Sequence, residues 1–363
     1  MRVRPERRRE MNRRIFSSAK GVSTAGIMLL VASVALTITL AGCAAQKAGT
    51  GPTTKPASNT HNGRIAFSRL DNRNGQSDLF VIKADGTGEK RLTTNPVDDS
   101  PILGPAPNPN PAYSPNGERL AFEAETQGGN TEFNIDIYVM NADSSGLARI
   151  TQEPTFDSMP SWSPDGTRLV YSRMDISWMF SSAYASASAA SARNDSNENG
   201  IYTIRADGSG LRKLTGEAHD ENPAWSPDGK AIAFGRLTKH AGWIYTVNSD
   251  GGGLKKLTDP PKGFWDSDPS WSPDGTKLAF TRASARRADV FTMNADGTHT
   301  KKLTGETDGF SPAYSPDGKK VAFVSNDGQT THIHVMNADG TNVRRLTTKT
   351  KVNDDAPDWQ TLP

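Results

Sequence analysis

Cysteine is all but missing from this 363-residue chain, Cys43 being the only one. A lone cysteine leaves no internal disulfide and no cysteine-rich metal site. Aromatic residues are few, at 7%, and no long stretch keeps the 3.6-residue apolar period of a helix. What is left is extended, turn-rich and all-β in character. A net charge on the body is nearly lacking too. Residues 1–42 carry eight basic side chains against Glu6 and Glu10, so the formal +2 of the whole chain leaves −4 for the rest. A slightly acidic body is a poor electrostatic partner for nucleic acid, and none is expected. His332 and His334 share a strand face, but His219, His240 and His299 stand at unrelated loop positions, so no metal site is read from them.

Long apolar runs are confined to one place. Basic residues up to Lys20 precede an apolar run from Ala25 to Leu40, and Leu40-Ala41-Gly42-Cys43 follows. A charged start, a short apolar core and a small-residue end form a secretory signal. The run is short of the ~20 residues that a spanning helix needs. The ending resembles a bacterial lipobox, which makes Cys43 the expected lipidation site and new N-terminus. Asn12-Arg13-Arg14-Ile15-Phe16 also looks like a twin-arginine export motif. The expectation is a chain exported and lipid-anchored, facing the periplasm or cell exterior. Residues 43–62, rich in Ala, Gly, Thr, Pro, Ser and Lys, read as a flexible tether.

From residue 63 the chain writes one line repeatedly. The copy from Pro269 to Thr304 has Pro-x-Trp opening a strand and Ser-Pro-Asp-Gly making a tight turn. Proline fixes φ at the second turn position and glycine is free to take φ > 0 at the last. Two alternating stretches follow, Lys277–Thr281 and Ala288–Met293, then a second turn at Asn294-Ala-Asp-Gly297, and Lys301-Lys-Leu-Thr304 closes a fourth strand. One copy is a four-stranded antiparallel meander of about 40–45 residues. The closing strand recurs six times, at Lys90, Ala148, Arg212, Lys255, Lys301 and Arg344. The opening aromatic also occurs six times, as Tyr113, Trp162, Trp225, Trp271, Tyr314 and Trp359, but out of phase at the ends. The first copy lacks its opening strand, and Pro357-Asp-Trp359 has no copy after it. The expected fold over 63–363 is therefore a six-bladed β-propeller of four-stranded antiparallel blades, closed by the C-terminal strand joining the first blade. The paired Lys/Arg of each fourth strand read as guards against edge-to-edge association.

With Ser-Pro-Asp/Asn-Gly at Pro115, Pro164, Pro227, Pro273 and Pro316, the chain resembles the TolB-like six-bladed β-propeller family, with its W-S-P-D-G hallmark. The resemblance covers residues 62–363. TolB itself carries an α/β domain before its propeller, where this chain has the tether. Peptidases that use related propellers add a hydrolase domain with a Gly-x-Ser-x-Gly elbow, a motif not found here.

In the usual propeller winding, the two kinds of turn lie on one face and the irregular loops on the other. That second face receives the proline-rich Pro96–Pro111 and the interruption Met174–Asn199. Elongation on one face suits binding on a rigid scaffold. Three residues before the opening prolines stand Asp98 (before Pro101), Asp157, Asp220, Asp266 and Asp354, with Asp308 displaced by one place. Six carboxylates are thus expected at the channel mouth, where they hold a cation or a basic partner group, or cap their own loops. Phe156, Trp265 and Phe310 accompany them as aromatic contacts that anchor a partner or pack between blades.

The function expected is that of a non-catalytic, membrane-tethered scaffold for an envelope protein or peptide, with no cofactor beyond that cation. The alternative is a carbohydrate-binding protein or polysaccharide lyase, for which Arg236, Lys239 and His240 form the one basic cluster.

Overall fold

Alternation along each repeat builds strands and nothing else. The computed structural model describes residues 61–93, 102–105, 109–127, 133–153, 155–174, 198–216, 219–238 and 241–362. Among them are twenty-five strands, β1 to β25 in chain order, and no helix. The first sheet has the order β25 (Val352–Leu362), β1 (His61–Asp71), β2 (Gln76–Lys83), β3 (Lys90–Arg91).

A nine-stranded sheet follows. Its path is β12 (Arg212–Lys213), β11 (Gly200–Arg205), β10 (Arg168–Met174), β9 (Phe156–Trp162), β7 (Phe133–Asn141), β6 (Arg119–Gln127), β4 (Ile102–Pro105). Off that path, β5 (Ala112–Tyr113) pairs with β6, and β8 (Ala148–Arg149) with β7.

The eight-stranded sheet runs β13 (His219–Trp225), β14 (Ala231–Leu237), β15 (Gly242–Asn248), β17 (Phe264–Trp271), β18 (Lys277–Ser284), β19 (Ala288–Asn294), β20 (Lys301–Lys302). Its β16 (Lys255–Lys256) sits on β15. Last come β21 (Phe310–Tyr314), β22 (Lys320–Asn326), β23 (Thr331–Asn337) and β24 (Arg344–Arg345). Each of the two larger sheets joins two meanders through a single parallel pair, Ile135 with Phe156 and Gly242 with Trp265.

The C-terminal strand lies where the phase of the repeats requires it. Trp359 pairs with Ile65, and Thr361 with Asn62. Indole N–H groups stitch successive repeats together: Trp162 donates to the Ala112 carbonyl, Trp271 to Ala224 and Trp359 to Ala313, each at 3.1 Å. Second strands such as β18 are covered on both faces, so Leu278, Ala279 and Phe280 are all fully buried. One core joins Ile65 and Phe67 of β1 to Val324 and Ile333 of the last sheet, and another joins Leu79 to Leu120 and Phe122. Face-to-face contacts of this kind carry most of the burial energy.

The turns work as their residues dictate. In Ser163-Pro-Asp-Gly166 the Gly166 N–H donates to the Ser163 carbonyl at 2.8 Å, and Asp165 accepts from the Ser163 hydroxyl at 2.6 Å. Gly297 takes φ +94°, and a Cβ there would lie 2.6 Å from the Leu257 carbonyl oxygen of the preceding repeat. Gly297→Ala is therefore expected to lower stability by about 1–3 kcal/mol, read as a shift of the urea midpoint with unchanged slope. An unchanged midpoint would contradict this packing of turn on strand.

The basic fourth strands do more than guard edges. Arg91, Arg149 and Lys302 reach Asp78, Asp136 and Asp289 on the third strands. Arg212, Lys255, Lys301 and Arg344 donate to turn carbonyls of the next repeat, at Asp250, Asp296, Asp339 and Asp85. The last of these links β24 to the turn after β2.

Candidate functional site

Six x-Pro-x triplets converge on one cavity of about 170 Å³: Asn110–Ala112, Met159–Ser161, Asn222–Ala224, Asp268–Ser270, Ser311–Ala313 and Ala356–Asp358. The residue before each proline has positive φ: Asn110 (29°), Met159 (56°), Asn222 (51°), Asp268 (52°), Ser311 (49°) and Ala356 (49°). A residue before proline is normally pushed to extended backbone, and side chains other than glycine rarely enter this region. The pairing register slips at the same place, as between Glu221 and Ala224 or Ser267 and Ser270. The inner strands β9, β13, β17, β21 and β25 thus each carry a bulge, which bends the strand and re-aims the side chains on either side of it.

Just before four of these bulges lie expected aspartates. Each is fully or almost fully buried and directly opposite an arginine. Arg173 holds Asp157 with two bonds at 2.7 and 2.8 Å, Arg236 holds Asp220 at 2.6 and 2.8 Å, and Arg282 holds Asp266 at 2.7 and 2.8 Å. Arg69 holds Asp354 at 2.5 and 2.9 Å and also reaches Glu89. Each guanidinium lies over a pair of rings that stack on one another, for example 4.7 Å from Tyr202 and 5.7 Å from Tyr171 for Arg173. Burial works against the charge of Arg173, but the Asp157 carboxylate overrides it and holds the guanidinium above its ordinary pKa.

An open negative collar is therefore corrected to a set of internal ion pairs. The arginines come from a Phe/Tyr-x-Arg line in second strands (Phe67-Ser-Arg69, Tyr171-Ser-Arg173, Phe234-Gly-Arg236, Phe280-Thr-Arg282). That line is a visible signal that composition and loop spacing pass over. In the last meander Gly309 takes the aspartate's place and Ser325 the arginine's, so both partners are replaced together. Asp308 stands aside there, with its side chain 39% exposed and 3.4 Å from Arg287. Asp98 lies outside the described residues. Among the described residues of that repeat, Pro111 lines the cavity and Ala124 stands at the arginine's place.

Of the aromatic residues, Phe156 pairs opposite Met174, Phe310 packs against a buried core and Trp265 sits against Gly242. Phe264 beside it is 37% exposed. Arg236 is engaged by Asp220, and Lys239 and His240 lie outside the described residues, as do Cys43 and the 175–197 stretch.

A second set of carboxyls, not foreseen, stands at or next to the cavity wall. Glu123 accepts from the Met159 N–H at 2.6 Å and from the Asn110 amide at 3.0 Å. Asp358 accepts from the Tyr113 N–H at 2.7 Å, and Asp268 from the Asn222 amide at 2.5 Å. Asp355 accepts from the Ala356 N–H at 2.7 Å. Burial pushes Glu123 up to about 8, and burial with the nearby Asp268 and Asp220 charges does the same to Glu221. Asp355 and Asp358 rise to about 7 and about 6, again chiefly by burial. These groups enter the sequence as neighbours of the prolines or of the second-strand Phe, and nothing local marks them as enclosed. Among the described residues, no three His, Cys, Asp or Glu side chains gather as a metal-holding group.

With this geometry in view, comparison with known proteins gives a consistent result. The TolB beta propeller domain family matches residues 103–177 and 262–361. The Tol-Pal system protein TolB of Anaeromyxobacter dehalogenans (strain 2CP-C) is 41% identical over 51 residues, 14% of this chain and 10% of that protein. The crystal structure of TolB from Acinetobacter baumannii superposes with a TM-score of 0.63 at 21% identity, covering 82% of this chain and 66% of that one. A putative TolB from Agrobacterium tumefaciens gives 0.55 at 18% identity, over 83% of this chain and 99% of the other. The chain thus matches a tenth of the curated relative and spans just under two-thirds of the A. baumannii chain.

Proposed function

This chain is a TolB-like β-propeller protein, and from that premise we propose that it is a lipid-anchored envelope scaffold that binds a protein or peptide at its channel mouth. The carrying observation is the set of four Asp–Arg pairs, each aspartate standing three residues before a proline that lines one cavity. Such pairs lock the ends of the inner strands and leave the neighbouring loops to make contact, which is the arrangement of a rigid recognition platform. The ring has six blades and is closed by β25. This is supported by the Trp359 indole on Ala313, by Arg344 on the Asp85 carbonyl and by Asn62 accepting from the Asp317 N–H. Asp157, Asp220, Asp266 and Asp354 act here by shaping the rim, and Asp308 stands in one of its loops. A cation, where one binds, balances the inner carboxyls rather than the paired ones. Phe264, which is exposed, supplies the contact together with the half-buried Trp265 and Asp308. Acyl chains on Cys43, following export, hold the scaffold at the membrane.

Photo-crosslinking in native membranes tests this. A crosslinker at Phe264 is expected to capture one defined envelope protein, and one at Asp296, on the turn face, is not. Adding Asp308→Asn and Trp265→Ser should cut capture several-fold with little change in melting temperature. Equal capture from both faces would contradict the assignment.

A further inference from the structure

Six large apolar side chains are exposed among the described residues, and four of them occupy one place in the repeat. Leu147 (49% exposed), Leu211 (44%), Leu254 (50%) and Val343 (42%) each stand directly before a fourth strand, ahead of β8, β12, β16 and β24. Glu89 and Thr300 hold the remaining two places. Exposed basic residues follow three of the four: Arg212, Lys255 with Lys256, and Arg344 with Arg345. The exposed turn aspartates Asp250 and Asp339 of this face accept local bonds, from the Gly252 N–H and from the Thr341 N–H and hydroxyl.

The chain also enters the fold on this face. His61 pairs with Leu362 at the start of β1, Asn62 accepts from Asp317 in a Ser-Pro-Asp-Gly turn, and Arg64 donates to the Gly88 carbonyl beside Glu89. Eighteen residues before His61 stands Cys43. A tether of that length has a root-mean-square span of roughly 25 Å, so a membrane holding Cys43 meets this face first. Apolar side chains flanked by lysine and arginine, on the side where the chain enters the fold, suit the interface of a bilayer better than open water.

We infer that the turn face is a membrane-docking surface. Leu147, Leu211, Leu254 and Val343 dip into the headgroup boundary of the bilayer that holds Cys43, and the channel mouth points away from it. This rests on the lipid-anchor reading above.

The test uses the full lipidated chain in vesicles of phosphatidylethanolamine and phosphatidylglycerol. Because lipidation occupies Cys43, a cysteine introduced by Leu254→Cys is the only free thiol and takes an environment-sensitive dye. The control is Gln329→Cys, in the turn between β22 and β23 at the opposite ends of the strands. Brominated lipids should quench most of the emission at position 254 and leave that at 329 unchanged. Combining Leu147→Ser and Leu211→Ser with Leu254→Cys should relieve the quenching without shifting the melting temperature. Co-flotation with no quenching at 254 would overturn docking and keep the anchor. Failure to float would overturn both. A dye at 254 shielded only at high protein density would assign the surface to a second copy of the chain, and would equally overturn the inference.

Discussion

Replacing Arg173 by methionine is expected to lower the stability of the protein by about 3–5 kcal/mol, because Asp157 is then left as a buried, uncompensated carboxylate. The side chains of Asp157 and Arg173 are 0% and 3% exposed, so water cannot take over the arginine's part. The stacking of Arg173 on Tyr171 and Tyr202 is lost as well, but a methionine keeps part of that contact. Converting both partners, Arg173→Met with Asp157→Leu, should restore most of the loss, since no stranded charge remains. Thermal melts of the two single variants and the double variant form the cycle. The expected sign is a coupling of several kcal/mol, and additive losses would mean that the pair does not act as a unit. The last meander makes the same argument without mutagenesis, for Gly309 and Ser325 replace both partners at once.

The second large effect concerns pH. Glu123 and Glu221 near 8, and Asp355 near 7, bind protons in the folded state that the unfolded chain has already released. Between pH 6.5 and 8.5 the native state therefore holds more protons than the unfolded one, and stability must fall as pH rises. Below about pH 4 these groups are protonated in both states, and their stabilising contribution is fully present. The buried His332 and the half-buried His219 and His334 are held below the ordinary imidazole pKa, chiefly by desolvation, and act in the opposite sense, losing stability as pH falls below about 6.5. The carboxyls are thus read most cleanly on the alkaline side. For Glu123, which is enclosed, the loss on full ionisation is on the order of 4 kcal/mol. The melting temperature should drop markedly from pH 6.5 to 8.5. Glu123→Gln should flatten that slope and leave the protein the more stable at pH 8.5. A melting temperature that is flat or rising over this window would contradict the assignment of protonated carboxyls around the cavity.

Much of the architecture can be read from the sequence because the same turn chemistry is repeated. Ser-Pro-Asp-Gly and Asn-Ala-Asp-Gly fix where chains reverse, and the phase mismatch between Gly63 and Trp359 points to the pairing of β25 with β1. Asp157, Asp220, Asp266 and Asp354 are likewise found by spacing. Their state is not, because it depends on which residue lies across the strand, and register is a tertiary property. Pro111 lines the cavity, and nothing local in its proline-rich stretch singles it out. Glu123 is harder still. It follows Phe122 at a place where other repeats carry Ser68, Ser172, Gly235, Thr281 or Val324, and its enclosure by Met159 and Asn110 comes from distant segments.

Amide hydrogen exchange along β25 tests the central claim most directly, namely that the C-terminal strand completes a closed platform with a paired rim. If it does, amides of residues 352–362 exchange as slowly as those of β18 and β19, and open only with global unfolding. If those amides exchange within seconds, like a free chain end, while β1 and β2 stay protected, the ring is not closed by this strand.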